Sequence, residues 1–472
     1  MLKSLLKDTV IYGLSSIVGR FLNYLLVPLY TAKIAAASGG YGVISEVYSY
    51  VALMLVLLTF GMETAFFRFV NKEHENPMRV YNTTLSAVGI VGVSFVALVL
   101  LFLSPISDLL NYAQHPEYIA MMAVCVAIDA FQCILFAYLR YQKKAIKFAS
   151  LKLLFIVLNI LGNVLYFVVL PQFMSFTIDV GAVFAINVLC TTLITFCFYK
   201  ELRGFRFQLD SQLLRQMLKY SWPILVLGIA GILNQTADKM LYCHLVEGEA
   251  GKVQLGIYSA CVKIAMIMAM ITQAFRYAYE PIVFGRGGTQ DMGKAMKFFL
   301  IFTLFAFTIV IAYLDLFKYI IAPDYWEGLQ VVPIVMVAEI MMGVYFNLSF
   351  WYKLIDKTIW GAWFSGAGCL VLIGVNVVFV PIYGFMACAW AGVAGYGIAM
   401  LLSYFFGQKY YPITYPLKQI AVYVAITILF YVVMQVTPHF VEHAWLQLGI
   451  NTCCVLAFAG HIGYHEFIKR KI

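Results

Sequence analysis

The sequence predicts an all-α polytopic membrane protein of about fourteen transmembrane helices, and three observations carry that prediction. Hydrophobic residues make up 63% of the 472 and charged residues only 12%, against about a quarter charged in soluble domains. Apolar stretches of about 20 residues, the length that spans a bilayer, recur along the whole chain. Roughly 26 of the 32 Lys and Arg fall in alternate loops and tails and roughly three in the others, the asymmetry that orients membrane helices. Taken with that asymmetry, an even number of segments puts both termini on the basic, cytoplasmic side. The net charge of +9 is spread over short loops and never forms a dense run, so nucleic acid is not an expected partner.

Segment 1 covers residues 10–34; it carries Arg20, lacks a small-residue cleavage site and reads as a retained helix, not a signal peptide. Segment 2, residues 43–67, opens on Tyr41, Gly42 and Ser45 and closes on Phe67 and Arg68. Segments 3 to 6 lie at 82–104, 118–138, 148–170 and 178–199, followed by a polar link over residues 200–220. Segments 7 and 8 lie at 221–243 and 254–279. Segment 8 repeats the pattern of segment 2, with Leu255, Gly256 and Ser259 at its start and Phe275 and Arg276 at its end. A repeat displaced by six helices keeps its orientation, so the sequence predicts two parallel six-helix lobes around a central cavity. The expected domains are 1–205, 206–410 and an appended helix pair at 411–472. Segments 9 to 14 lie at 297–321, 330–351, 360–380, 384–407, 417–436 and 445–465.

Ionisable side chains inside such segments cost about 2.5–3.5 kcal/mol each on insertion scales, so each implies a partner, a wet cavity or a function. Arg20 lies about 16 Å into segment 1 and Lys263 about 14 Å into segment 8, one central cation from each half. Together they suit an anionic cargo such as a phosphate or pyrophosphate; the alternative for Arg20 is a pair with Asp129, also near mid-depth. Glu63 and Arg68 end segment 2, and Arg276 and Glu280 end segment 8. Arg276 and Glu280 share a helix face, whereas Glu63 and Arg68 diverge and need partners on other helices. These four are expected to close an inner gate, the plain alternative for the arginines being membrane anchoring. Glu46, with Asp238 and Lys239, is the expected outer latch. Asp129 and Glu339 are the acids placed for coupling to H+, Na+ or the membrane potential. Pro28 lies inside segment 1 and Pro223 opens segment 7, and a proline within a helix creates a bend that can flex.

The ten cysteines fall in apolar segments, which argues against a disulfide framework. His461 and His465 have metal-ligand spacing but no third ligand nearby, so they read as an interfacial helix end and no metal is expected. With no P-loop, no H-E-x-x-H and no G-x-S-x-G, the chain is not expected to be an enzyme and needs no cofactor.

The stretches YGLSSIVGRFLNYLLVPLY at 12–30, LTFGMETAFFRF at 58–69, NQTADKML at 234–241, LGIYSACVKI at 255–264 and AFRYAYEP at 274–281 resemble the polysaccharide transporter family. That family includes the O-antigen and capsule lipid-linked oligosaccharide flippases of the multidrug/oligosaccharidyl-lipid/polysaccharide superfamily. The resemblance implies alternating access around a cavity lined by segments 1, 2, 7 and 8, and a place in the bacterial cytoplasmic membrane. Arg20, Lys263, Asp238 and Lys239 are then the expected substrate-binding residues, and Glu46, Glu63, Arg68, Arg276 and Glu280 the gate. Expected partners are the lipid-linked oligosaccharide, membrane lipids and polysaccharide polymerase or ligase machinery. A lipid II flippase, whose first helices carry more arginines than the lone Arg20, or a cation-coupled multidrug exporter are the alternatives.

Overall fold

The computed structural model describes residues 24–72, 76–175, 177–286, 292–355 and 357–468, without the side chains of 277, 278, 280–282, 284–286, 467 and 468. Among the described residues there is no strand. Eleven helices among those residues are long and apolar enough to cross a membrane, and a bent pair, taken as one span, makes a twelfth. A shorter apolar helix and the described end of the first segment complete fourteen elements in the order the sequence predicts. Two compact units, Met1–Gly256 and Ile257–Ile472, divide the chain.

In the first unit, α1 is Leu26–Lys33 and α2 runs Gly40–Thr59, then resumes as Met62–Val70. The break falls on Phe60 and Gly61, with φ of +48° and +67°. Glycine takes that left-handed conformation without strain, and phenylalanine does not. α3, Pro77–Leu101, begins where Asn76 accepts a hydrogen bond from the Met78 N–H and Pro77 supplies a preset φ. α4 is Pro116–Tyr141, and α5 is Ala145–Val164, prolonged through a π-helical turn to Phe173. α6 is Gly181–Phe196. α7, Ser211–Leu245, starts ten residues earlier than the apolar pattern alone suggests, because Asp210 caps it by accepting from the Leu213 N–H. Pro223 therefore lies inside the helix, not at its start. The core gathers Phe66, Phe69, Tyr81, Ile134 and Phe198 from α2, α3, α4 and the turn after α6.

α8 consists of Glu249–Ala265 and Ile267–Arg286, bent by 43° at Met266. The second unit continues with α9 (Met292–Ala312), then α10, a 3₁₀ stretch Pro323–Val331 followed by Val332–Leu348. α11 (Ile359–Tyr383) and α12 (Phe385–Tyr410) pack tightly because Gly368 and Gly395 face each other: a Cβ on either would lie within 2.8 Å of the other's carbonyl oxygen. α13 (Leu417–Phe440) and α14 (Ala444–Ile462) pack on α9.

Candidate functional site

At the basic end of the first unit, Met62, Ala65, Phe66 and Phe69 bury one face of the second piece of α2. Glu63 is left at the edge of that face, where it forms an ion pair with Arg140 of α4 and accepts from the Cys133 thiol at 3.2 Å. Both charged side chains are more than a third exposed, which holds the pair to about 1 kcal/mol or less. Arg140 also stacks over Phe67 at 4.7 Å, and the exposed Arg68 sits over the Tyr220 ring of α7 at 4.1 Å. Deeper in the unit, the Asp129 carboxylate accepts from Thr191 of α6 at 3.3 Å. Lys152 of α5 lies within electrostatic reach of Asp129, Glu63 and Arg140. The four charges alternate in sign along α2, α4 and α5.

At the other end of the unit, α2, α7 and the start of α8 meet. A Cβ at Gly42 would lie 2.0 Å from the Lys252 carbonyl oxygen and 3.0 Å from the Gly256 nitrogen, and one at Gly256 would lie 3.0 Å from the Gly42 nitrogen. The two glycines that mark the repeat thus touch. One turn further, Glu46 is 1% exposed. Its Oε2 accepts from the Tyr112 hydroxyl at 2.7 Å, and its Oε1 accepts no hydrogen bond from the described residues. Asp238 and Lys239, expected beside Glu46 in an outer latch, pair with each other at 2.9 Å.

In the second unit, Lys263 is half-buried just before the α8 bend, Arg276 lies over the Phe346 ring at 5.3 Å, and Glu339 is half-buried on α10. A cavity of about 740 Å³ opens between α9, α10, α12 and α13, lined by Leu304, Ile334, Val393, Leu401, Val424 and Ile428 among others. It runs along α13 from Leu417 to Tyr431, about 21 Å at helical rise. Beside its wall, the buried Lys297 of α9 donates to Glu466 at 2.7 Å and 2.8 Å and to Gln419 at 2.9 Å, and Tyr423 donates to Glu466 at 3.0 Å. His461 and His465 lie ring against ring, centroids 4.4 Å apart, and His461 meets Tyr423 edge-on. Among the described residues, no three His, Cys, Asp or Glu gather as a metal site.

Arg20 lies outside the described residues, as does the side chain of Glu280. The need of Glu63 for a partner on another helix is met by Arg140 of α4. Lys152, Tyr112 and the Lys297–Glu466 pair went unread. Lys297 and Glu466 each stand near a helix end, where an interfacial anchor and a buried pair have the same sequence signature.

Residues 5–281 match the family described as polysaccharide biosynthesis protein. Among proteins of curated function, none matches the sequence. Among solved structures, the fold is similar to that of lipid II flippase MurJ in an inward closed conformation, with a TM-score of 0.75 and 14% identity over 97% of this chain and 100% of that one. It is also similar to an inward-facing multidrug resistance MATE family transporter of the MOP superfamily, with a TM-score of 0.65 and 14% identity over 86% and 95% of the two chains. The MATE multidrug transporter DinF-BH is similar at a TM-score of 0.59 and 16% identity, over 86% and 95%.

Proposed function

The chain belongs to the polysaccharide biosynthesis protein family, and from that premise we propose that it is an alternating-access flippase. It moves polyprenyl-pyrophosphate-linked oligosaccharide from the cytoplasmic to the periplasmic leaflet for O-antigen or capsule assembly. The observation that carries this reading is the apolar cavity between α9, α10, α12 and α13. An apolar space between membrane-crossing helices, lined along α13 from Leu417 to Tyr431, suits an isoprenoid tail, which gains about 25 cal/mol per Å² of surface it buries. Arg20, Lys263, Asp238 and Lys239 serve the pyrophosphate and the sugars. Glu63, Arg68, Arg276 and Glu280 close the cytoplasmic mouth, with Arg140 now added through its pair with Glu63. Asp129 and Glu339 serve ion coupling. The protein sits in the bacterial inner membrane with both termini in the cytoplasm, hands its cargo to polymerase or ligase machinery and performs no catalysis.

A second reading, lipid II transport, draws on the fold shared with MurJ over 97% of this chain. Reconstitution with a fluorescent polyprenyl-pyrophosphate oligosaccharide, followed by a membrane-impermeant quencher, separates the two. Transbilayer movement of the oligosaccharide lipid is the expected result. Movement of lipid II alone favours the second reading, and movement of neither overturns both.

A further inference from the structure

The outer ends of α2, α7 and α8 form a seal whose chemistry the transport reading leaves unused. Backbone meets backbone at Gly42, Lys252 and Gly256, so water has no room there. Glu46 is sealed in behind that crossing at 1% exposure, with Oε1 accepting no hydrogen bond from the described residues. The groups that face it are the Tyr112 hydroxyl from the turn before α4, Tyr50 on its own helix, Cys243 and His244 of α7, and Lys252 of α8. Tyr112 in turn packs against Tyr118 of α4, which donates to Asp179 at 2.6 Å. Lys252 lies over the Tyr112 ring at 5.4 Å and pairs with Glu249 at 3.6 Å.

A buried carboxyl with one oxygen unpaired and a neutral phenol on the other is tolerated when it carries its proton and penalised when it does not. Parting of the helices would hydrate the carboxylate and remove the penalty. We infer that Glu46 is a proton-binding site that latches the outer seal: neutral Glu46 holds α2, α7 and α8 together, and loss of its proton to the outer water releases them. The inference rests on the alternating-access reading for its orientation, but its readout needs no cargo. By linkage, a seal that binds the proton more tightly is favoured as outer pH falls and opens as it rises.

Cys243 stands in the seal at 6% exposure and reports on it without an added label site. Right-side-out vesicles carrying the full chain are treated with a membrane-impermeant maleimide from pH 6 to pH 9, and alkylation of Cys243 is followed by mass spectrometry. Dividing the wild-type rate by that of Glu46→Gln at each pH cancels the ionisation of the thiol itself. Simple repulsion between Glu46 and the thiolate would make this ratio fall with pH. The latch makes it rise, by about tenfold for a one-unit difference in proton affinity between the two states, and Tyr112→Phe, which removes a donor to the carboxylate, moves the rise to higher pH. A flat or falling ratio, or a Tyr112→Phe profile that does not move, overturns the latch. A rise found only in inverted vesicles supports the latch and overturns the orientation assumed for the flippase.

Discussion

Asp210 shows how much one carboxylate does at a helix start. It accepts from the Leu213 N–H at 2.9 Å and from Arg79 at 2.5 Å and 2.9 Å. The Leu213 hydrogen bond first, and the Arg79 guanidinium after it, hold its carboxyl below the ordinary value of 3.8. A group lowered in this way contributes stability in full above its ordinary value and loses it as pH falls through the lower folded one. Asp210→Asn keeps a capping side chain but not the charge. Thermal melting in detergent should show the variant below wild type at pH 7, with the gap closing below about pH 3.8. The Lys297–Glu466 pair makes a stronger case, since both side chains are 5% exposed or less. Lys297→Met strands a buried carboxylate, at about 3–5 kcal/mol, whereas Lys297→Met with Glu466→Leu should recover most of that in the same melt. The sequence made single charges conspicuous but not their partners, because a partner such as Arg140 for Glu63 is chosen by packing between distant segments.

Helix existence was legible at the scale of the element, since apolar length is a property of each segment alone. Helix starts were less so: polar caps such as Asp210 extend α7 beyond its apolar part. The repeat that marked Gly42 and Gly256 proved to mark a contact as well. A Cβ at Gly42 would strike backbone at 2.0 Å, but one at Gly256 comes no nearer than 3.0 Å. Gly42→Ala should therefore lower the melting temperature and speed Cys243 alkylation more than Gly256→Ala does; equal effects would place the crossing elsewhere. For the second unit, Val393→Phe with Val424→Phe fills part of the cavity among α9, α10, α12 and α13. The expected outcome is an unchanged or higher melting temperature together with about tenfold slower flipping, roughly 1.4 kcal/mol at the transition state. Undiminished flipping would remove the cavity from the cargo's path.

The whole chain is a multi-pass membrane protein, and the orientation proposed for it draws on the basic loops. A reporter joined after Ile472 should be active only in the cytoplasm. Arg68→Glu is expected to favour the inward-open state, since it removes the cation that lies over the Tyr220 ring of α7 at the basic end of the first unit. Greater labelling from the cytoplasmic face would check this. Charge asymmetry and segment count were readable from one chain because both are sums over residues, whereas a latch such as Glu46 with Tyr112 depends on a turn and a helix brought together by folding. The order of synthesis adds a consequence of another kind. Lys297 leaves the ribosome 169 residues before Glu466, and at about 5–20 residues per second it waits roughly 8–34 s for its counter-ion. Through that interval α9 is an unfinished membrane helix with its ammonium at the interface. Arrival of the last helix ends the wait, so a nascent chain stopped short of α14 holds the Lys297 ammonium without its carboxylate.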